Sequence, residues 1–270
     1  MPQKTVLITG CSPGGIGHAI AREFHSKGFR VFATARKTTT IQDLATLGIE
    51  TLSLEATSQE SIQSLLHEVQ TRTSGRLDIL VNNAGRNYTV PATDVELPEI
   101  RATFETNVFA VMMLCQAFAP LLIETQGTIV QIGSLAAIMP YVFGSVYNAS
   151  KAALHSYSNT LRVELAPFGV RVCTIVTGGV KSNIARTSRE LPEDSIYLPL
   201  KREYGERLTH SQANGVPNEE YARTVVAQVL KGKDTVWAGG KAWLVWFLSQ
   251  FFPRWVMVSL QYLFTSASLY

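Results

Sequence analysis

Residues 4–17 read KTVLITGCSPGGIG, and this stretch decides the fold. A short apolar run is followed at once by a glycine-rich turn and then by a helical pattern. Glycines let the backbone approach a bound pyrophosphate closely, and the free N–H groups of a helix amino terminus attract it. Because the turn stands between a strand and a helix, it predicts a dinucleotide site rather than an ordinary tight turn. The residues expected to contact the cofactor here are Gly10, Ser12, Gly15, Ile16 and Gly17.

Beyond this turn, apolar runs alternate with helical patterns through the first two-thirds of the chain. The runs are nearly continuous, as expected for strands of a parallel sheet that helices cover on both faces. Predicted strands lie at 5–9, 30–35, 50–54, 77–81, 128–132 and 171–176, and predicted helices at 16–27, 60–72, 97–122, 146–167 and 218–230. The alternation predicts an α/β fold of the Rossmann type, a doubly wound parallel sheet with ligands at the carboxyl ends of its strands.

The chain of 270 residues fits one large domain, assigned to 1–236, with a hydrophobic carboxyl-terminal segment at 237–270. Residues 181–214 are polar and interrupted by two prolines, which predicts a mobile flap over the site. In the final segment the longest uncharged run before Pro253 is 242–252, too short for a bilayer span of about 20 apolar residues. Two interpretations of this segment stay open: short helices on a membrane surface, or helices packed on the domain or across a dimer.

Composition excludes several other classes of protein. Hydrophobic residues make up 46% of the chain, enough to bury a sizeable core. The net charge is only +3 and the Lys and Arg residues are scattered, so no nucleic-acid partner is expected. Three widely spaced cysteines, Cys11, Cys115 and Cys173, form neither a disulfide framework nor a metal cluster. We therefore expect a reducing, intracellular compartment, no metal site, and no signal peptide before the first strand.

The choice between NAD and NADP is made at the end of the second strand, where residues 32–37 read FATARK. In this fold an acidic side chain at that point holds the ribose 2′-hydroxyl of NAD. This sequence has two cations instead, and a guanidinium grips a 2′-phosphate through charge-assisted hydrogen bonds. We expect NADP(H), with Arg36 as the main ligand and Lys37 in support. The alternative, a solvated surface charge, suits Lys37 better than Arg36.

A candidate catalytic pair lies in the sequence YNASK at 147–151. Tyr147 and Lys151 are four residues apart on a helical pattern and so share a face. A phenol with a pKa of about 10 is a slow proton donor at neutral pH, and an adjacent ammonium lowers that pKa. Further polar groups follow the apolar strands or lie in the preceding helix, namely Ser134, Asn107 and the NNAG run at 82–85.

In their order and spacing these motifs resemble the short-chain dehydrogenase/reductase family, over residues 5–180. The resemblance implies a sheet of about seven strands and hydride transfer between NADP(H) and a carbonyl or alcohol. It implies that Tyr147 is the general acid and that Ser134 holds and polarises the carbonyl. It also implies that Lys151 binds the nicotinamide ribose and tunes Tyr147, while Asn107 holds a water in a proton relay to Lys151. Members of the family commonly pair through the helices that are here 97–122 and 146–167, so a homo-oligomer is expected.

The same resemblance assigns cofactor contacts outside the glycine-rich turn. The residues concerned are Glu55, Asn83, Ala84, Gly85, Tyr147, Lys151, Gly178, Val180 and Ser182. Three departures from the family pattern accompany them. The glycine-rich turn is one residue longer than the commonest form, and Glu55 stands where an aspartate usually contacts the adenine. Thr177-Gly178 replaces the usual Pro-Gly, which predicts a different backbone facing the nicotinamide.

A narrower resemblance concerns the stretches 143–147, 176–180 and 191–197 and the hydrophobic tail, which are similar to fungal 1-acyldihydroxyacetone-phosphate reductases. It implies a lipid-like or bulky apolar ketone and a place at the endoplasmic reticulum or lipid droplet, with the cytoplasm as alternative. Phosphate contacts are then expected from Lys181, Arg186 or Arg189, unless these are solvated loop charges. Two other functions stay open: a carbonyl reductase of a fungal polyketide or alkaloid pathway, and a redox-silent NADPH-binding protein.

Overall fold

The structure is a computed structural model that describes residues 3–185, 189–213, 215–253, 255–256 and 258–259. Its strands are β1 (Thr5–Ile8), β2 (Arg30–Ala35), β3 (Glu50–Ser53), β4 (Ile79–Asn82), β5 (Thr128–Ile132), β6 (Arg171–Thr177), β7 (Val180–Lys181), β8 (Val216–Pro217) and β9 (Thr235–Ala238). Its α-helices are α1 (Ile16–Ser26), α2 (Gln42–Thr46), α3 (Gln59–Thr73), α4 (Leu97–Phe104), α5 (Ala110–Ile123), α6 (Ser145–Leu165), α7 (Lys201–Ala213), α8 (Asn218–Leu230) and α9 (Ala242–Phe251).

Seven strands form one parallel sheet in the order β3-β2-β1-β4-β5-β6-β9. The order reverses direction at β1, which is the crevice where doubly wound sheets bind their ligands. Because all seven strands are parallel, their carboxyl ends meet along one edge. The predicted α/β fold is confirmed, and the six predicted strands end within two residues of their expected positions.

Helices cover both faces of the sheet, which explains why the strands are apolar throughout. On one face α1 and α8 pack through residues such as Phe24 and Val225. On the other face α3, α5 and α6 pack through Ile62, Phe118 and Leu154. All three cysteines are buried and free, and burial raises the pKa of the Cys11 thiol to about 12, as expected for apolar filling rather than a nucleophile.

The last sheet strand, β9, was not predicted from the sequence. It spans residues 235–238, so the expected boundary between 236 and 237 falls inside the sheet and has to move. The strand has only four residues and overlaps the start of the aromatic-rich segment at Trp237. It therefore does not stand out in the sequence as a separate apolar run. Helix α9 follows and leaves most of its aromatic side chains exposed.

The expected flap contains a helix instead of an unstructured loop. α7 occupies 201–213, preceded by a 3₁₀ turn at Leu198–Leu200. Phe143, which precedes α6, packs edge-on against Tyr197 and Tyr204 with ring centroids 5.3 and 5.5 Å away. The Tyr204 hydroxyl donates to the Thr89 carbonyl oxygen at 3.0 Å. These contacts fasten the described part of the flap over the carboxyl edge of the sheet.

The predicted helix 97–122 is continuous to Ile123, but a π-helical turn at Glu105–Phe109 separates α4 from α5. Among the described residues, it is the one helix long and apolar enough to cross a membrane by composition. Half of that apolar window is buried against the rest of the protein. Core helices meet the same criterion. The buried half of the window, which includes Phe118, packs on the sheet as a core helix does.

Candidate active site

A cleft of about 1180 Å³ runs along the carboxyl edge of the sheet. Of the residues predicted to contact cofactor or substrate, those lining it are Gly10, Ser12, Gly15, Ile16, Arg36, Glu55, Asn83, Ala84, Gly85, Ser134, Tyr147, Lys151, Gly178, Val180 and Ser182. Gly17, Lys37 and Asn107 do not border the cleft, and the flap cations are described below. The structure thus brings most of the predicted set together from seven separate stretches of the chain.

The glycine-rich turn has the shape that a pyrophosphate needs. Gly10 has a φ of +72°, and a Cβ atom there would lie 2.9 Å from the Ala84 Cα atom. Helix α1 begins after Gly15 with no side-chain cap and no acidic residue in its first turn. Its first N–H groups are therefore without a side-chain acceptor, and its positive end carries no nearby carboxylate from that turn. Both features fit a bound dinucleotide.

Asn83 clamps this turn rather than only lining it. Its side-chain Nδ2 donates to the carbonyl oxygens of Thr9 and Gly10 at 2.8 and 2.9 Å. Gly17 lies directly behind, where a Cβ atom would come within 2.4 Å of Asn83 Nδ2 and 2.6 Å of the Gly10 oxygen. Gly17 was predicted as a cofactor contact. In the structure, the absence of a side chain at Gly17 lets α1 pack closely against Asn83 and the Gly10 carbonyl group.

The two candidate 2′-phosphate ligands separate in the structure. Arg36 is exposed at the edge of the cleft, and no ion pair between described residues includes it. Lys37 is exposed but outside the cleft lining, and its carbonyl oxygen caps a turn by accepting from Thr40. Arg36 thus lines the cleft and Lys37 does not, and the contact of either residue with a 2′-phosphate stays a prediction.

Tyr147 and Ser134 both line the cleft, and their side chains are close enough for the Ser134 hydroxyl to act on the phenol. Ser134 Oγ also accepts from the Ala136 backbone N–H at 3.1 Å, which fixes its rotamer. Burial raises the pKa of the Tyr147 phenol, and the Ser134 hydrogen bond and the positive charge of Arg207 partly offset that rise. The phenol is therefore protonated at neutral pH, which suits a proton donor.

Lys151 lies beside Tyr147 and is held by a backbone carbonyl group. Its Nζ atom lies 5.9 Å from the centroid of the Tyr147 ring and donates to the Ile132 carbonyl oxygen at 2.9 Å. Burial lowers the pKa of Lys151 to about 8. Burial is the largest influence on the Tyr147 phenol and raises its pKa, so the tuning of this phenol by Lys151 stays a prediction.

Asn107 sits in the π-helical turn with its side chain fully buried. Its Oδ1 accepts from the Arg86 N–H at 2.9 Å, and its Nδ2 donates to the Arg86 carbonyl oxygen and to Ser150 Oγ, both at 3.0 Å. A Cβ atom on Gly85 would lie 3.3 Å from Asn107 Oδ1 and 3.9 Å from Lys151 Nζ. The side chain therefore holds the backbone beside Lys151, and the water relay stays a prediction.

At the end of the sixth strand, close glycine packing adjoins the threonine that replaces the usual proline. Gly179 and Gly240 exchange two backbone hydrogen bonds of 3.0 and 2.8 Å, and a Cβ atom on Gly178 would lie 2.2 Å from the Gly240 oxygen. The Thr177 hydroxyl, in place of a proline, shares a 2.6 Å hydrogen bond with the Tyr221 hydroxyl.

At the other end of the cleft, the Glu55 carboxylate accepts a hydrogen bond from the Thr57 hydroxyl at 3.1 Å.

His155 is a residue of the site that the sequence analysis did not single out. Its imidazole Nε2 accepts a hydrogen bond from the Ser134 backbone N–H at 3.2 Å. Burial, followed by the charge of Lys151, lowers the pKa of His155 to about 4. The position four residues beyond Lys151, on the same helix face, was the available signal.

Two of the three flap cations considered for a substrate phosphate, Lys181 and Arg189, lie outside the cleft lining. Lys181 is exposed and outside the lining, and Arg186 lies outside the described residues. Arg189 donates to Glu99 at 2.5 Å and stacks over Tyr88 at 4.7 Å. The part of the chain that the structure describes also contains no group of three or more potential metal ligands.

Comparison with known proteins gives consistent matches. Residues 4–193 match the family model for short chain dehydrogenases. The chain is 40% identical over 264 residues to short-chain dehydrogenase fogD of Aspergillus ruber, covering 96% of this chain and 92% of that protein. It is 45% identical over 206 residues to the NADPH-dependent 1-acyldihydroxyacetone phosphate reductase of Schizosaccharomyces pombe, covering 74% and 70%. A crystal structure of a short-chain dehydrogenase from Streptomyces avermitilis superimposes with a TM-score of 0.79 at 30% identity, covering 91% of each chain.

Proposed function

Because this chain belongs to the short-chain dehydrogenase family and is therefore an oxidoreductase, we propose that it uses NADPH to reduce a ketone to a secondary alcohol. The observation that carries the proposal is that Ser134, Tyr147 and Lys151 line one cleft together, with Lys151 one helical turn from Tyr147. The exposed guanidinium of Arg36 at the cleft edge supports NADP(H), for which the Schizosaccharomyces pombe relative is also named.

The residues of the cleft carry the proton transfer. When bound, NADPH supplies a hydride from C4 of its nicotinamide ring. Ser134 donates a hydrogen bond to the ketone oxygen and draws electron density from the carbonyl carbon. Tyr147 gives its proton to that oxygen as the hydride adds to the carbon, which leaves a secondary alcohol and a phenolate. The Lys151 ammonium stabilises the phenolate until a proton from solvent restores it.

For the substrate, we propose 1-acyldihydroxyacetone phosphate, which reduction converts to 1-acylglycerol 3-phosphate. The name of the relative in Schizosaccharomyces pombe supports this choice. An apolar wall supports it as well, since Met139, Leu244, Val245 and Leu248 line the cleft. Such a wall suits an acyl chain, and it suits a bulky polyketide or alkaloid ketone equally, so a biosynthetic carbonyl reductase is the competing outcome.

The test is NADPH oxidation against a ketone panel that contains 1-acyldihydroxyacetone phosphate and polycyclic aromatic ketones. Fastest turnover of the phosphate ester supports the proposed substrate, whereas fastest turnover of the aromatic ketones supports the biosynthetic reductase. Tyr147→Phe should reduce turnover by a factor on the order of 100 to 10,000, because it removes the proton donor. If Tyr147→Phe abolished this turnover but left the cellular activity of the protein unchanged, a redox-silent NADPH-binding function would replace the enzyme.

We propose that α9 places the enzyme on a lipid surface, at the endoplasmic reticulum or a lipid droplet. Support comes from the exposed side chains of Trp243, Phe251 and Trp255, which are 70%, 65% and 68% exposed. Exposed aromatic residues of this kind anchor helices in headgroup regions. Flotation with phosphatidylcholine vesicles should carry the protein, and Trp243→Glu with Phe251→Glu should abolish flotation. A protein that stays at the bottom of the gradient is cytoplasmic or uses α9 for packing.

A second copy of the chain is the proposed partner of the α5 and α6 faces. Phe109, just before α5, and Val163 on α6 are 47% and 74% exposed. Exposed apolar side chains on long helices are typical of subunit contacts. Sedimentation velocity should show an oligomer that Val163→Glu weakens, and a monomer at every protein concentration would refute the pairing.

A further inference from the structure

Helix α7 brings into the cleft a cation that the sequence did not single out. Arg207 lines the cleft together with Tyr141 and Tyr147. Its Nε atom donates to the Val142 carbonyl oxygen at 3.3 Å, and its guanidinium carbon lies 5.3 Å from the centroid of the Tyr141 ring. The side chain is thus held between α7 and the loop that precedes the catalytic helix.

The direct contacts of Arg207 with the described residues include no carboxylate. A guanidinium has five N–H donors, and the contacts given above supply one neutral carbonyl oxygen and one aromatic face. Glu203 and Glu206 line the same cleft, but no ion pair between described residues includes Arg207: Glu203 pairs with Arg202, and Glu99 pairs with Arg189. Burial lowers the pKa of the Arg207 guanidinium, which is the sign of a desolvated cation. A cation in such a site is stabilised when an anion enters.

Arg207 shares the cleft with the reacting groups. Both Arg207 and Tyr147 line it, and the positive charge of Arg207 lowers the pKa of the Tyr147 phenol. The side chain lies on the helix that the Tyr204–Thr89 hydrogen bond fastens to the domain. An anionic group bound by Arg207 would therefore hold the rest of a ligand near Tyr147.

We propose that Arg207 binds an anionic group, a phosphate monoester or a carboxylate, on the ketone substrate and so selects anionic over neutral ketones. This inference rests on the proposed ketone reduction and adds the class of substrate. It also replaces the flap cations Lys181 and Arg189, since the first is outside the cleft and the second is engaged by Glu99.

The test compares three ketones that share one acyl chain: 1-acyldihydroxyacetone phosphate, the unphosphorylated ester, and an analogue with a carboxylate in place of the phosphate. Arg207→Gln should lower kcat/KM for the preferred anionic ketone about 10- to 100-fold, as expected for the loss of one or two charge-assisted hydrogen bonds. Its kcat/KM for the neutral ester should change less than about twofold. Arg207→Lys keeps the charge but lacks the paired N–H donors of a guanidinium. Its kcat/KM for the anionic ketone should lie between those of the wild type and Arg207→Gln.

Arg202→Gln is the matched control, because Arg202 lies on the same helix with its side chain 78% exposed and outside the cleft. It should leave the preference between ketones unchanged. An equal loss on neutral and anionic ketones in Arg207→Gln would overturn the inference and leave ketone reduction intact.

A protein that reduces none of the ketones would refute the proposed function instead. The inference is then decided by thermal unfolding with saturating NADPH and added glycerol 3-phosphate. Stabilisation of the wild type and of Arg202→Gln, but not of Arg207→Gln, supports the anion site. Equal shifts in all three proteins, or none, overturn it.

Discussion

The imidazole of His155 accepts the backbone N–H of Ser134 through its Nε2 atom, at 3.2 Å. An accepting Nε2 carries no proton, so the ring is neutral and its single proton is on Nδ1. Gly133 lets the ring come this close, because a Cβ atom there would lie 2.1 Å from Nε2. His155 thus fixes the backbone that presents the Ser134 hydroxyl to Tyr147, and it is a positioning residue.

His155→Leu should lower kcat and destabilise the protein. The leucine retains apolar volume but leaves the buried Ser134 N–H without an acceptor, which costs about 1–3 kcal/mol. His155→Gln should restore part of both losses, because its side-chain oxygen reaches the position of Nε2. Urea unfolding and steady-state kinetics on the preferred ketone measure the two effects.

His67→Leu is the control for this pair, since His67 is exposed on α3. It should leave kcat and the urea midpoint close to those of the wild type. If His155→Leu reduced stability but not kcat, the contact would be structural only and would not position Ser134.

The same contact predicts acid sensitivity. An unfolded imidazole takes up a proton as the pH falls through its ordinary pKa of 6.5, whereas the folded one resists until about 4. The unfolded state therefore binds more protons in this window, and the free energy of unfolding declines by up to about 3 kcal/mol between those pH values. His155→Gln should lack this part of the decline. Parallel curves for the two proteins, measured as urea unfolding at several pH values, would contradict the assignment.

How much of this structure the sequence predicts depends on how far apart the interacting residues lie along the chain. The six strands and the catalytic stretch 147–151 were predictable because local apolar patterns and short spacings determine them. Helix α7 was not, because its few buried side chains, such as Tyr204, are held by contacts with distant Phe143. For the same reason Arg207 could not be linked to Tyr147: the two are 60 residues apart, and only the docking of α7 brings them together.

Arg36→Ala should reverse the preference for NADPH over NADH. The variant loses the charge-assisted grip on the 2′-phosphate, so the ratio of kcat/KM values should fall about 10- to 100-fold. Lys37→Ala is the matched control, because this neighbouring cation is exposed outside the cleft and should change the ratio less than about threefold. Equal effects of the two substitutions would mean that the local positive charge, and not a specific contact of Arg36, determines the preference for NADPH.

Lys151 should reduce the stability of the folded protein at neutral pH, although the proposed chemistry needs it. Burial lowers its pKa from 10.5 to about 8, so the folded state holds the charged form unfavourably below pH 8. Between these two values the unfolded state binds more protons, and stability rises with pH by up to about 3 kcal/mol relative to a chain without this group.

Lys151→Met provides that chain. The urea midpoint of the wild type should rise relative to that of the variant as the pH increases from 8 to 10, while the turnover of the variant is abolished throughout. The Ile132 carbonyl oxygen loses its donor in the variant, but that loss shifts both ends of the pH range equally. A pH-independent difference between the two proteins would show that Lys151 titrates normally and that its ammonium is solvated in the folded state.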